Sequence, residues 1–435
     1  MAGVLIIRGS RTPAPQSNGD IDTLLRNADG SPYRERLILL QQIQYSCRDS
    51  NNNIKRNPDG TYLCDTNDVG GLESYSDRQF GPETWKTSGR YTSINGEVLP
   101  TFVGAQAGRI ERWRVVHAGV RDTVNLRFRK MRAQAAPLVP VAPAAAAQDN
   151  WIAQNCPGID VSLFSIAHDG LTRAQIATKL ISYLQPGYRE DLLVVFPEEG
   201  DYCVIDEGAQ AQSAVNNEVK SRRYLGKVSV AAGQTVRDAG TFVETQLIAA
   251  ANQFMPLSTR QKVRDDLANG LKLSSFVPHR DIENNEVIGQ QSVAFRIDTG
   301  FKINGNSYDP ARIDRVLPLG SVEEWTLRTE NAFGHPFHIH VNPFQIMKIV
   351  NENTGQDVSE AGDTGEPQYA NLKNVWKDTL FIRQGYVATV RTLYQRYIGD
   401  FVLHCHILDH EDQGMMQNIR IGLPDGTGGV ASPHH

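Results

Sequence analysis

One stretch of this 435-residue chain concentrates metal-binding atoms: His404-Cys405-His406, followed by His410 and Met415. A thiolate, two imidazoles and a weak thioether are the donor set of a blue-copper electron-transfer centre. A second run, His335-Pro-Phe-His338-Ile-His340, lies upstream, so six of the eleven histidines fall in two short segments. An extended strand points alternate side chains to opposite faces. If both runs are strands, His338 and His340 share one face, His404 and His406 share one face, and Cys405 turns to the other. The simplest partition gives His335, Cys405, His410 and Met415 to a mononuclear copper, with Met415 as the weak axial ligand. Met416 is the rival axial candidate, but on a strand it would point away. His338, His340, His404 and His406 are left for a second metal site, which imidazoles would also make suitable for zinc. The backbone of Cys405 would then join the two sites by a short through-bond path.

These segments, H-P-x-H-x-H and H-C-H-x-x-x-H-x-x-x-x-M, resemble the multicopper oxidases, the laccase-like family, and His404–Asp412 looks most like the bacterial spore-coat-type laccases. The resemblance extends over most of the chain. It implies a type 1 copper at His335, Cys405, His410 and Met415, a type 2 copper at His338, and a type 3 pair at His340, His404 and His406. It also implies one-electron oxidation of a phenol-like or metal-ion reductant, coupled to four-electron reduction of dioxygen to water. Cys405 would relay the electrons. Glu411 would be a carboxylate that assists proton delivery, chemically sensible because the reduction consumes protons. Asp378, in Trp376-Lys-Asp-Thr379, is expected to hydrogen-bond rather than react, and Asp409 is a candidate to orient a ligand histidine. The chain departs from the family in one respect: a complete trinuclear cluster needs two more His-x-His pairs, and none is present. A missing N-terminal cupredoxin domain or a partner chain is expected to supply them. The alternative from another class is a truncated type 1 electron-transfer module without oxidase activity.

An internal repeat supports this organisation. Ile94-Asn95-Gly96 precedes Gly108-Arg-Ile-Glu-Arg-Trp113, as Ile303-Asn304-Gly305 precedes Gly320-Ser-Val-Glu-Glu-Trp325. Aligning the copies places Val120, Thr123 and Asn125 at the positions of His335, His338 and His340. Ile205, Asp206 and Glu207 stand at those of His404, Cys405 and His406. His117, matched to Asn331, reads as structural. The fold class expected is all-β: tandem cupredoxin-like Greek-key sandwiches with a short helical connector. Residues 1–10 read as the last strand of a missing first domain, and 11–240 as a cupredoxin-like domain without copper ligands. Residues 241–275 read as the helical connector, and 276–435 as the copper-bearing domain. Thr172–Gln175 resembles a capping box opening a helix to about Tyr183. Ala133–Ala147 reads as a low-complexity loop, and Glu352–Glu366 as a solvated acidic loop that could shape the substrate edge. His168 and His279 read as surface or satisfied histidines, and His434 and His435 as tail.

A formal net charge of −5 argues against nucleic-acid binding, and no apolar run reaches membrane-spanning length. Besides Cys405, four cysteines remain. Cys47 with Cys64, across a turn-rich stretch between two strand-like neighbourhoods, reads as a hairpin disulfide and Cys156 with Cys203 as a weaker second candidate, the alternative for each being a small buried hydrophobe, and spacing alone does not fix the pairing. Disulfides would favour an oxidising compartment, periplasmic or extracellular. Six methionines in all are too few for a Met-rich cuprous-ion oxidase.

Overall fold

The computed structural model describes residues 3–9, 11–15, 17–43, 45–58, 62–65, 67–68, 70–72, 91–136, 145–331, 334–427 and 429–431. Its strands build two tandem β-sandwiches, each of one six-stranded and one five-stranded sheet, plus a two-stranded ribbon. Every strand of the first sandwich has a counterpart at the same place in the chain order of the second. Arg34–Ile43 runs parallel to Ile110–His117 in one, as Gly289–Ile297 runs parallel to Val322–Thr329 in the other. The repeated Asn-Gly pairs make the same turn. Asn95 and Gly96 have φ of 56° and 85°, and Asn304 and Gly305 have 51° and 79°. Positive φ at both central residues is what a tight hairpin turn of this hand requires. Each Asn side chain also accepts from the neighbouring strand, from Leu39 N–H at 2.9 Å and from Ala294 N–H at 2.8 Å.

Trp113 and Trp325 sit buried at equivalent places between the sheets. Trp113 meets Phe128 edge-on at 4.9 Å, and Trp325 lies 6.4 Å from Phe337. Such rings fill most of the gap between facing sheets, each burying on the order of 150–250 Å². Helices Ala239–Phe254 and Leu257–Ala268 join the sandwiches and bury Val243, Leu247 and Ala251 in a separate cluster with Phe164, Ile166 and Leu193 of the first sandwich. Asp238 caps the first of these helices by accepting from Thr241 N–H at 3.0 Å.

The structure corrects several expectations. Residues 171–184 are not helical: Leu171–Lys179 and Ser182–Leu184 are strands. The Asp169-Gly170 turn, with φ of 51° and 81°, sends the chain straight back against Leu163–His168. The β-branched Thr172, Ile176 and Thr178 suit that hairpin better than a helix. Ala145–Asn155 is a helix, so the Ala/Pro-rich stretch is a loop only at 133–136 within the described residues. Residues 3–9 belong to no strand, and Arg8 Nη2 donates to Glu35 Oε1 of the strand Arg34–Ile43 at 2.8 Å. Both disulfides form, Cys47–Cys64 and Cys156–Cys203. Tyr45–Ser46 is a short strand, whereas Tyr62 makes only an isolated bridge. Glu366, expected in a solvated loop, is 1% exposed and paired with Arg383.

The repeat register also shifts on one strand. Leu126 stands opposite Asp206 as Phe337 stands opposite Cys405. The places of His335, His338 and His340 are therefore held by Val124, Arg127 and Arg129, not by Val120, Thr123 and Asn125. Gly119 lies in a turn that ends only at Val124, whereas Gly334 already begins its strand. His117 correspondingly matches Thr329.

Candidate metal centre

The strands Gly334–Ile339 and Gly399–Cys405 are neighbours, with Phe337 opposite Cys405 and His338 opposite His404. Opposed residues point to the same side of a sheet. The pleat therefore sends His335, two residues before Phe337, to the same side as Cys405. His338, His340, His404 and His406 go to the other. After Cys405 the short helix Leu408–Asp412 returns His410 to the buried side. Met415 N–H then donates to His410 O at 2.9 Å, and Cys405 N–H donates to Met415 O at 3.0 Å. Those two bonds tie the loop back on itself and bury Met415 completely.

On the buried side, Cys405 Sγ lies 3.5 Å from His335 Nδ1 and 3.7 Å from His410 Nδ1. The two Nδ1 atoms are 3.3 Å apart. Phe295 and Phe301 pack on the two imidazoles at 5.1 and 4.9 Å. Burial, with Arg121 nearby, pushes His335 down to about 3 and holds His410 well below its ordinary value, so both rings are neutral and keep a lone pair. Burial pushes the Cys405 thiol up, so it gives up its proton only to a strong electrophile. Two imidazole nitrogens and a sulfur converging within 3.3–3.7 Å in a buried pocket are a donor set that suits a metal ion.

On the opposite side, ligand atoms of His338, His340 and His404 lie within 4.8 Å of one another. His340 Nε2 and His404 Nε2 are 3.2 Å apart. The outer nitrogens are spoken for: His338 Nδ1 lies 3.0 Å from Asp378 O and 2.9 Å from Thr379 Oγ1, and His404 Nδ1 lies 3.0 Å from Glu411 Oε2. Anchoring one ring nitrogen turns the other toward the metal. His406 packs 5.4 Å from His338, ring to ring, and stands beside the triad rather than in it. Burial first, then the neighbouring imidazoles, lower His340 to about 4 and His406 to about 3. A cleft of about 780 Å³ opens over this group, reached by His117, His279 and Tyr397.

The remaining candidates fall as follows. Glu411 touches His404. Burial would raise its carboxyl, but the hydrogen bond and charge of His404 hold it below the usual range. Asp378 serves His338 through its carbonyl, and its carboxylate binds Arg189. Asp409 does not reach a histidine. It pairs with Arg121 of the first sandwich at 2.6 Å, because the helix carrying it faces the domain junction. His168 is buried 3.6 Å from Glu190, and His279 packs on Trp376 at 4.7 Å. His434 and His435 lie outside the described residues. In the first sandwich the equivalent positions hold ion pairs instead: Arg127 with Glu207 at 3.0 Å, and Lys220 with Asp206. Sequence reasoning missed Arg121, Asp169 and Arg189, whose partners lie hundreds of residues away and leave no local pattern.

Known proteins resemble this chain in sequence over its second sandwich and in overall fold. Residues 277–423 match the family model described as Multicopper oxidase. The chain is 32% identical over 123 residues to the multicopper oxidase mco of Staphylococcus haemolyticus, covering 27% of this chain and 24% of that protein. It is 28% identical over 128 residues to the laccase of Bacillus subtilis, covering 28% of this chain and 24% of that one. The matched stretches thus span about a quarter of these relatives. The fold resembles that of a multicopper oxidase from Campylobacter jejuni, with a TM-score of 0.55 at 17% identity, covering 89% of this chain and 64% of that one. The similarity of residues 277–423 is to the multicopper oxidases, whose metal is copper.

Proposed function

We propose that this chain is the electron-accepting part of a laccase-like oxidase. A phenol-like or metal-ion reductant gives up single electrons beside His335, Cys405, His410 and Met415, and four of them convert dioxygen and four protons to two waters beside the histidine group. Bound copper would supply the redox chemistry at both places. The chain's own residues set the rest. Cys405 joins the two groups covalently, because its neighbours His404 and His406 face the other side of the same strand. The packed Phe295 and Phe301 hold the first group rigid and dry, so little rearranges when an electron arrives. Glu411, 3.0 Å from His404, is placed to hold and pass a proton at the edge of the second group. The second group contributes His338, His340, His404 and His406, and the remaining histidines come from a further domain or a partner chain seated over the open cleft.

Two disulfides fit a periplasmic or extracellular location. No helix among the described residues is long and apolar enough to cross a membrane. The observation that carries the proposal is the placement of a Cys-His-His group and a three-histidine group on opposite faces of one strand. The test is reduction of the copper-loaded protein by a phenolic donor. The account expects the blue colour to bleach when the donor is added, whereas return of the colour under dioxygen needs the histidines of the further domain or partner chain. A protein that never turns blue would refute it.

A further inference from the structure

The junction between the sandwiches concentrates buried charge at one place, directly behind His338. Asp169, at the tip of its hairpin in the first sandwich, has a fully buried side chain. Its carboxylate accepts from Asp378 N–H at 3.1 Å and Thr379 N–H at 3.2 Å, and lies 3.1 Å from Lys377 Nζ. Lys377 in turn sits over the Tyr188 ring at 4.2 Å, and Tyr188 Oη accepts from Phe381 N–H at 2.7 Å. Arg189 Nη1 donates to Asp378 Oδ1 at 2.8 Å and to Gly187 O at 2.9 Å. The clamped residues, Asp378 and Thr379, are the two that contact His338 Nδ1. Gly187, next to this arginine, has φ of +87°, and a Cβ there would come within 2.5 Å of the His406 ring. A buried carboxylate is tolerated only when its hydrogen-bonding capacity is filled. Here it is filled by the other sandwich's backbone, at the residues that fix one histidine.

We infer that Asp169 and Arg189 of the metal-free sandwich are positioning residues for His338, acting through Asp378 and Thr379. The inference rests on the copper reading above. With the Asp378 carbonyl held in place, His338 keeps its proton on Nδ1 and presents Nε2 to the triad. The sandwich without ligands of its own thus aims a histidine of its neighbour.

The test is Cu(II) titration of the whole chain, with the second ion followed by electron paramagnetic resonance and the first by its blue absorption. Asp169→Asn and Arg189→Gln should weaken the second ion about 10–100-fold, the usual effect of removing a group that orients a metal ligand. Arg189→Lys should restore part of the loss, and the blue absorption should stay unchanged throughout. Arg189 is 32% exposed, so its variants test the idea even if Asp169→Asn does not fold. Unchanged second-ion affinity in these variants, even with a lower melting temperature, would overturn the inference and leave the clamp a mere interface. No second ion in the unaltered chain would instead overturn the copper reading of this group, and the inference with it.

Discussion

On the proposed reading, Cys405 is the residue on which both candidate metal groups turn. Its Sγ belongs to one, and its two neighbours to the other. Cys405→Ser should therefore abolish the blue absorption while leaving a copper bound by His338, His340 and His404, a split that absorption and paramagnetic resonance read separately. Met415→Leu should keep the colour and raise the reduction potential, measured by redox titration, because the axial thioether is removed without disturbing the three strong donors. His117 gives the metal-free protein an acid limit. Burial lowers it from 6.5 to about 4. The folded state therefore holds the neutral ring while the unfolded chain takes up a proton. The stability so contributed is complete above about pH 6.5 and drains away as pH falls toward 4, by roughly 3 kcal/mol for a shift of this size. Urea unfolding of the metal-free protein at several pH values should show that slope, and His117→Gln should make it shallower by the His117 share, the buried His335, His340, His406 and His410 supplying the rest. At this scale the sequence was most legible where ligands sit two residues apart, as at His338 and His340, because strand alternation alone sorts them. It said nothing of Arg121, Asp169 or Arg189, whose roles exist only across the junction.

Among the elements, the strand Gly334–Ile339 ends under strain. Val341 adopts φ of 69°, one residue past His340, and is 46% exposed. A β-branched residue in the left-handed region costs on the order of 1–3 kcal/mol. Val341→Gly should raise the unfolding free energy by about 1 kcal/mol, the strain relieved less the added freedom of the unfolded chain. Denaturant titration reads this directly, and a lower midpoint would contradict it. The Asn-Gly turns and the two tryptophans made the tandem sandwiches readable from sequence, since each needs a backbone or core position that few residues satisfy. The 171–184 hairpin was not, because Thr172 and Gln175 imitate a helix start while the Asp169-Gly170 turn just upstream decides the outcome. The four-residue slip between copies has a similar origin: a turn glycine, Gly119, was matched to a strand glycine, Gly334.

At the scale of the molecule, one sandwich carries imidazoles and thiol where the other carries Val124, Ile205 and the ion-paired Arg127, Arg129, Asp206 and Glu207. The two remain coupled at both metal groups. Arg121 backs the helix that carries His410 and Glu411, and Arg189 backs His338 through Asp378. Arg121→Ala leaves Asp409, 4% exposed at its side chain, without its ion-pair partner. Breaking such a pair costs about 3 kcal/mol or more. Calorimetry should show a lower melting temperature, and the blue absorption should broaden or weaken because the His410 helix loses its support. An unchanged melting temperature would mean the pair is replaced by solvent at no cost.

The most direct test of the central claim, two metal groups on opposite faces of Gly399–Cys405, is copper content together with paramagnetic resonance of the loaded chain. The account predicts two distinguishable Cu(II) signals, one strongly blue with compressed hyperfine splitting and one ordinary, the first lost in Cys405→Ser and the second in His340→Ala. A single ordinary signal, unaffected by loss of Cys405, would contradict it.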